Sequence, residues 1–271
     1  MVDEDLLMLM KDGVGRFYIP EHGFNSIPRW NGAEGYLMKV TEETSLTLEG
    51  AAIAADTPLE LHDGWQMVAY YPREPAEAIH ALSGIVESLL LAKDGEGHFY
   101  NPEFEFSNMG DLHEGRGYLL KLSEAADLVY RLEEGDELAS ALSHQRKVHH
   151  NRRNVLPLHP NTGLNMSLYI ETVIPAKAGI HEIGVYSEDE LVGSGILENG
   201  RCGLAIWGDD LTTEEVDGAL DEASLTLKLI VEGVEIPVGV ELLRGSLEYH
   251  TDEFTAIRLS WDSVLPVEFS L

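Results

Sequence analysis

Two stretches decide how this chain is organised: Lys11-Asp12-Gly13-Val14-Gly15-Arg16-Phe17-Tyr18-Ile19-Pro20-Glu21 and Lys93-Asp94-Gly95-Glu96-Gly97-His98-Phe99-Tyr100-Asn101-Pro102-Glu103. They match at an offset of 82, and the offset persists without a gap. Phe24 falls on Phe106, Gly35-Tyr36-Leu37 on Gly117-Tyr118-Leu119, Lys39 on Lys121, Glu42 on Glu124 and Leu46 on Leu128. One spacing shared by so many of the rarer residue types marks an internal duplication. Asp-Gly at 12–13 and 94–95 signals a tight turn, because Gly accepts positive φ and Asp closes a local hydrogen bond. The Phe-Tyr that follows is good strand material, and Gly35–Val40 and Gly117–Leu122 read as strands opened by a glycine.

Between the copies, Gly64–Tyr71 reads as a further strand. After Pro72 and Pro75, the spacing of Ile79, Leu82, Ile85, Val86 and Leu89 predicts an amphipathic helix over 76–91. A full unit is therefore expected to run strand, helix, hairpin, strand. Leu6-Leu7-Met8-Leu9 aligns with Ser88-Leu89-Leu90-Leu91, so the first copy has no counterpart of the Gly-Trp strand or of most of the helix. That predicts a truncated first unit whose open side is covered by a longer parent chain, by another chain or by the second unit.

The 271 residues carry 18 Lys and Arg against 48 Asp and Glu, a formal charge of −30. Such a surface repels nucleic acid and anionic membrane, and no apolar run is long enough for a membrane-spanning helix. The start, Met1-Val2-Asp3-Glu4-Asp5, has no signal-like pattern, as expected of a fragment. One cysteine, Cys202, excludes a disulfide framework or a Cys-rich zinc site within the chain. From Leu138 to Ile170 there is no Asp or Glu, and His144–Arg153 holds four of the 18 basic residues. The expected divisions are a repeat region over 1–140 with period 82, a basic linker over 141–159 and a second domain over 160–271. The second domain alternates short β-branched runs with Gly, Asp and Asn clusters, which suggests an antiparallel sandwich. The expected fold class is an α+β repeat region followed by an all-β, immunoglobulin-like antiparallel sandwich.

The segments His181–Tyr186, Val192-Gly193-Ser194-Gly195 and Gly203–Thr213 with Asp217-Gly218, led in by Pro160–Leu168, resemble a β-rich module of secreted bacterial surface proteins. In such proteins, units similar to Gly64-Trp65 and Lys93–Tyr118 often precede that module. The resemblance implies a non-catalytic structural or adhesive part of an exported, cell-surface bacterial protein, outside the cell.

Candidate chemistry is sparse. Gly13-Val14-Gly15 and Gly95-Glu96-Gly97 lack the third glycine and the helix of a phosphate loop, and His181-Glu182 lacks the second histidine of a zinc protease. No serine or cysteine sits in a nucleophile elbow, so an enzyme is not expected. Asp209, Asp210 and Asp217 in the loop 208–218 are the candidate metal ligands, with calcium as the possible cofactor, although their spacing is not that of an EF-hand. His149-His150 has no third ligand nearby in sequence. Trp30, in the turn-like Pro28-Arg29-Trp30-Asn31-Gly32, is the candidate ligand-binding residue, an aromatic face for a sugar. Two alternative functions follow: a carbohydrate-binding accessory of a secreted enzyme, or a self-assembling extracellular filament subunit. The expected partners are an extracellular glycan or protein surface, other domains of a parent chain, or a second copy.

Overall fold

The computed structural model describes residues 6–47, 50–132, 156–172 and 181–261. The chain divides into two compact units, residues 1–149 and 150–271. The basic segment His144–Arg153, with His149-His150, lies outside the described residues.

The first unit opens with β1 (Leu7–Asp12), β2 (Phe17–Ile19), β3 (Phe24–Asn25) and β4 (Tyr36–Val40), in a sheet ordered β3-β2-β1-β4. The second copy adds β5 (Leu59–Leu61), β6 (Gly64–Ala69), β7 (Ala76–Glu77), α1 (Ala78–Ala81), β8 (Leu89–Lys93), β9 (Phe99–Asn101), β10 (Phe106–Ser107), β11 (Asp111–Leu112), β12 (Gly117–Leu122) and β13 (Ala126–Leu128). Its main sheet is ordered β10-β9-β8-β12-β6, and β11 pairs with β7 and β13 with β5 in two small ribbons.

The two copies fold alike to the level of single hydrogen bonds. Lys11 faces Phe17 as Lys93 faces Phe99, and Ile19 faces Phe24 as Asn101 faces Phe106. The bulge that leaves Met8 unpaired between Leu7 and Leu9 recurs at Leu90. Asp12 Oδ1 accepts from the N–H groups of Val14 (3.1 Å) and Arg16 (2.8 Å), and Asp94 Oδ1 does the same for Glu96 and His98 (both 2.9 Å). Gly15 and Gly97 then take up φ of 83° and 87°, which only glycine adopts without strain. The phenol oxygen of Tyr36 accepts from the Asn31 N–H, and that of Tyr118 from the His113 N–H, both at 2.9 Å.

The expected fold class is corrected on both halves. Among the described residues 48% lie in strands and only 4% in helix, so there is no α+β repeat. The predicted helix over 76–91 is instead a two-residue strand, the four-residue α1, a 3-10 turn at Ser83–Ile85 and the start of β8. Gly84 falls within it, and its three-and-four spacing is met by one helical turn plus one 3-10 turn. Leu89 and Leu91 leave the helical register because β12 claims them as sheet partners, with Leu122 and Lys121 opposite. Propensity lost to tertiary pairing.

The second unit holds β14 (Asn165–Thr172), β15 (His181–Ser187), β16 (Glu190–Ile196), β17 (Arg201–Trp207), β18 (Leu225–Val231), β19 (Val234–Ile236), β20 (Gly239–Arg244) and β21 (Phe254–Ser260). They form two four-stranded sheets, β17-β14-β21-β20 and β16-β15-β18-β19. The antiparallel immunoglobulin-like expectation fails here, because β14 and β21 run parallel from Ser167 opposite Phe254 to Thr172 opposite Leu259. Both strands are buried apolar runs, a pattern that suits a central parallel pair. Met166, Leu168, Ile183, Val185, Leu204, Ile206, Leu229 and Ile257 from both sheets share one core.

Candidate functional site

The equivalence of the copies stops where residues 59–85 come into play. In the second copy this segment touches the repeat three times: β5 pairs with β13, β6 with β12 and β7 with β11. Its side chains Leu59, Leu61, Val68, Tyr70, Ala76, Ile79, Leu82 and Ile85 close the core over Ala92, Tyr100, Leu112, Tyr118, Leu120 and Leu122. The counterparts of β11 and β13 in the first copy, Arg29–Trp30 and Thr44–Leu46, are not strands, and β4 is the edge of its sheet. Met10, Tyr18, Trp30, Tyr36, Met38 and Val40 occupy the positions of those six core residues, and none of them is buried.

Trp30 shows the consequence. It is 45% exposed where its counterpart Leu112 is 1% exposed. Its indole stacks on Tyr36, with centroids 4.3 Å apart and planes at 16°. Asn31 Nδ2 donates to Glu34 Oε1 beside it at 2.9 Å. The sequence placed Trp30 in a turn; the structure adds the stack and the strandless face around it.

Trp65 on β6 shows what the first copy lacks. The Lys93 ammonium lies 5.6 Å and that of Lys121 5.3 Å from the centre of its ring. Two cations over one indole are an attractive electrostatic arrangement. Their counterparts in the first copy are Lys11 and Lys39. Residues 33–35 join the opposite edge of β6: the Gly35 N–H donates to the Met67 carbonyl (3.2 Å), and the Ala69 N–H to that of Ala33 (3.1 Å).

The candidate metal ligands do come together, but closed on themselves. The Asp210 N–H donates to Asp217 Oδ1 (2.9 Å) and the Asp217 N–H to Asp209 Oδ1 (3.0 Å). Asp210 Oδ1 accepts from the N–H and the hydroxyl of Thr212 at 2.9 and 2.7 Å. These carboxylates brace a loop, and among the described residues no three His, Cys, Asp or Glu side chains converge to hold a metal ion.

Titratable groups are spent on structure. Tyr70 donates to the Glu74 carbonyl (2.6 Å) and Tyr130 to that of Ala69 (3.0 Å), and burial pushes Tyr70 up to about 12 and Tyr130 well above its ordinary value. Neither ionises near neutrality. Burial, with Glu198 adding to it, also pushes the Cys202 thiol up to about 12. Cys202 is therefore expected to ignore a thiol-specific disulfide reagent in the folded chain and to react with one equivalent in denaturant. Labelling in native buffer at the denatured rate contradicts its burial.

Asp12 carries a structural charge. Burial acts to raise its pKa, but the Arg16 side-chain hydrogen bond (2.5 Å), the Arg16 and Val14 N–H groups and the Arg16 charge outweigh it, and the net shift is below the ordinary 3.8. Unfolding releases a carboxylate that binds protons more readily, so the stabilisation is present above about pH 4 and is lost as pH falls through the lower folded value. The difference in urea midpoint between the native chain and Asp12→Asn is expected to hold from pH 7 to 5 and to shrink below pH 4. A difference unchanged down to pH 2 refutes this.

No family model, no curated protein and no solved structure matches this chain.

Proposed function

We infer that this chain is a non-catalytic structural segment of an exported bacterial surface protein, built from β units that cover one another's apolar faces. One observation carries the reading: the two copies share register, bulge and turn bonds, yet only one has its face closed, by a segment preceding it in the chain. Units of this kind stabilise each other in series, as repeat arrays do, and gain nothing from a reactive cleft. The −30 charge favours solubility outside the cell. Antibodies against the second unit are expected to label intact cells of the source organism, and external protease to remove the label. Labelling that appears only after lysis refutes surface display.

A second reading, sugar binding, rests on the Trp30–Tyr36 stack and on the exposure of Trp30. It predicts retention on insoluble polysaccharide that Trp30→Ala abolishes; no retention on any polysaccharide eliminates it.

A further inference from the structure

We propose that the open face of the first copy is a docking site for a polypeptide segment with the pattern of residues 59–85. That segment brings a Gly-Trp strand that pairs antiparallel with β4 and a following helical turn that packs on Tyr18, Trp30, Tyr36 and Met38. The proposal rests on the tandem-unit reading above and names its partner.

The chain itself displays the complex. Within the copies the strand registers agree, with the pairs Lys11–Leu37, Met10–Met38, Leu9–Lys39 and Leu7–Val40 repeated at Lys93–Leu119, Ala92–Leu120, Leu91–Lys121 and Leu89–Leu122. They differ at the three places where the second copy pairs with residues 59–77, and among the described residues the first copy has no strand partner at those positions. The edge of β4 is also oriented for it. The Thr41 N–H donates to the Leu6 carbonyl (2.9 Å), so residues 37, 39 and 41 direct their backbone groups towards β1. Alternation then aims those of Tyr36, Met38 and Val40 outward, as the Arg116 carbonyl on the equivalent strand accepts from Tyr70 at 3.0 Å. Ala33 and Gly35 use the inward side for their bonds to β6, so those bonds do not occupy the outward edge of β4.

The repeated side-chain pattern selects the segment. Lys93 and Lys121 flank Trp65, and Lys11 and Lys39 hold the equivalent strand positions in the first copy, so a Gly-Trp strand meets the same residue types there. Strand addition supplies main-chain bonds, and alternate side chains supply the choice of partner. The occupant is a unit of the same repeat type, because the pattern that fits the face is the one this chain already uses.

The test joins a duplicate of residues 57–87 directly ahead of Leu6 in the full chain, which keeps the 82-residue phase because Ser88 aligns with Leu6. Amide exchange at Tyr36, Met38 and Val40 is expected to slow on the order of 100-fold, Thr44–Leu46 to gain protection, and Trp30 emission to shift to the blue. A duplicate carrying Trp65→Ala and Val68→Asp, with the native residues 57–87 untouched, is expected to lose all three effects. Unchanged exchange with a duplicate that protease still removes overturns the proposal. So does a concentration-dependent dimer of the unextended chain that Met38→Asp dissolves, which gives the face to a second copy. Polysaccharide retention that survives the extension but not Trp30→Ala gives the face to a glycan, and also overturns it. Absence of cell-surface labelling with the protection intact refutes only the surface reading.

Discussion

Phe99→Ala is expected to cost the first unit about 4 kcal/mol, and the equivalent change Phe17→Ala only about 1 kcal/mol. The two rings hold the same strand position, face Lys93 and Lys11, and pair with Phe106 and Phe24 at 5.3 and 4.9 Å. Their surroundings differ. Phe99 is wholly buried, whereas Phe17 is 36% exposed, so truncating Phe99 leaves a cavity as well as losing apolar burial. Hydrogen exchange of the first unit's amides, read against urea, reports both values separately from the second unit. Equal costs would mean that the Phe17 ring is as fully enclosed as that of Phe99, against their difference in exposure.

Gly218→Ala is expected to destabilise the second unit by about 3 kcal/mol, enough to leave it unfolded if its total stability is modest. A Cβ at Gly218 runs into the carbonyl of Gly208 and crowds the Asp209 nitrogen (2.9 Å). These are backbone atoms, which no rotamer change can move. They are also held: Asp209 N–H donates to the Ala219 carbonyl (3.0 Å), Ala219 N–H to that of Trp207 (2.9 Å), and Gly208 N–H to that of Leu164 (2.9 Å). Relief would open the neck of the loop carrying Asp209, Asp210 and Asp217. Gly95→Ala is the control, since a Cβ there meets nothing within 4 Å, and its effect is expected to stay within about 0.5 kcal/mol. A second-unit midpoint that Gly218→Ala leaves where it stands in the native chain would show that the neck yields freely.

Much of the candidate site was within reach of sequence arithmetic. The offset of 82 pairs Trp30 with Leu112 and Met38 with Leu120, and alternation puts Tyr36, Met38 and Val40 on one face. What could not be read was that β11 and β13 exist only because residues 59–77 pair with them. A two- or three-residue strand has no periodicity of its own, so Asp111-Leu112 and Ala126–Leu128 look like loop until a partner is known. The grouping of Asp209, Asp210 and Asp217 was legible from loop position. Their use as acceptors for one another's N–H groups depends on how the loop closes.

Sequence by itself determined the duplication, its turns and its strand-forming runs, because an Asp-Gly-x-Gly turn and its flanking aromatics are local chemistry repeated at a constant distance. Only the tertiary structure decided that 76–91 is not a helix, that β14 lies parallel to β21, and that one copy is closed while the other is open. Each of these is a competition for a sheet edge or an apolar face between segments far apart in the chain, and its outcome depends on the partner rather than on the residues competing for it.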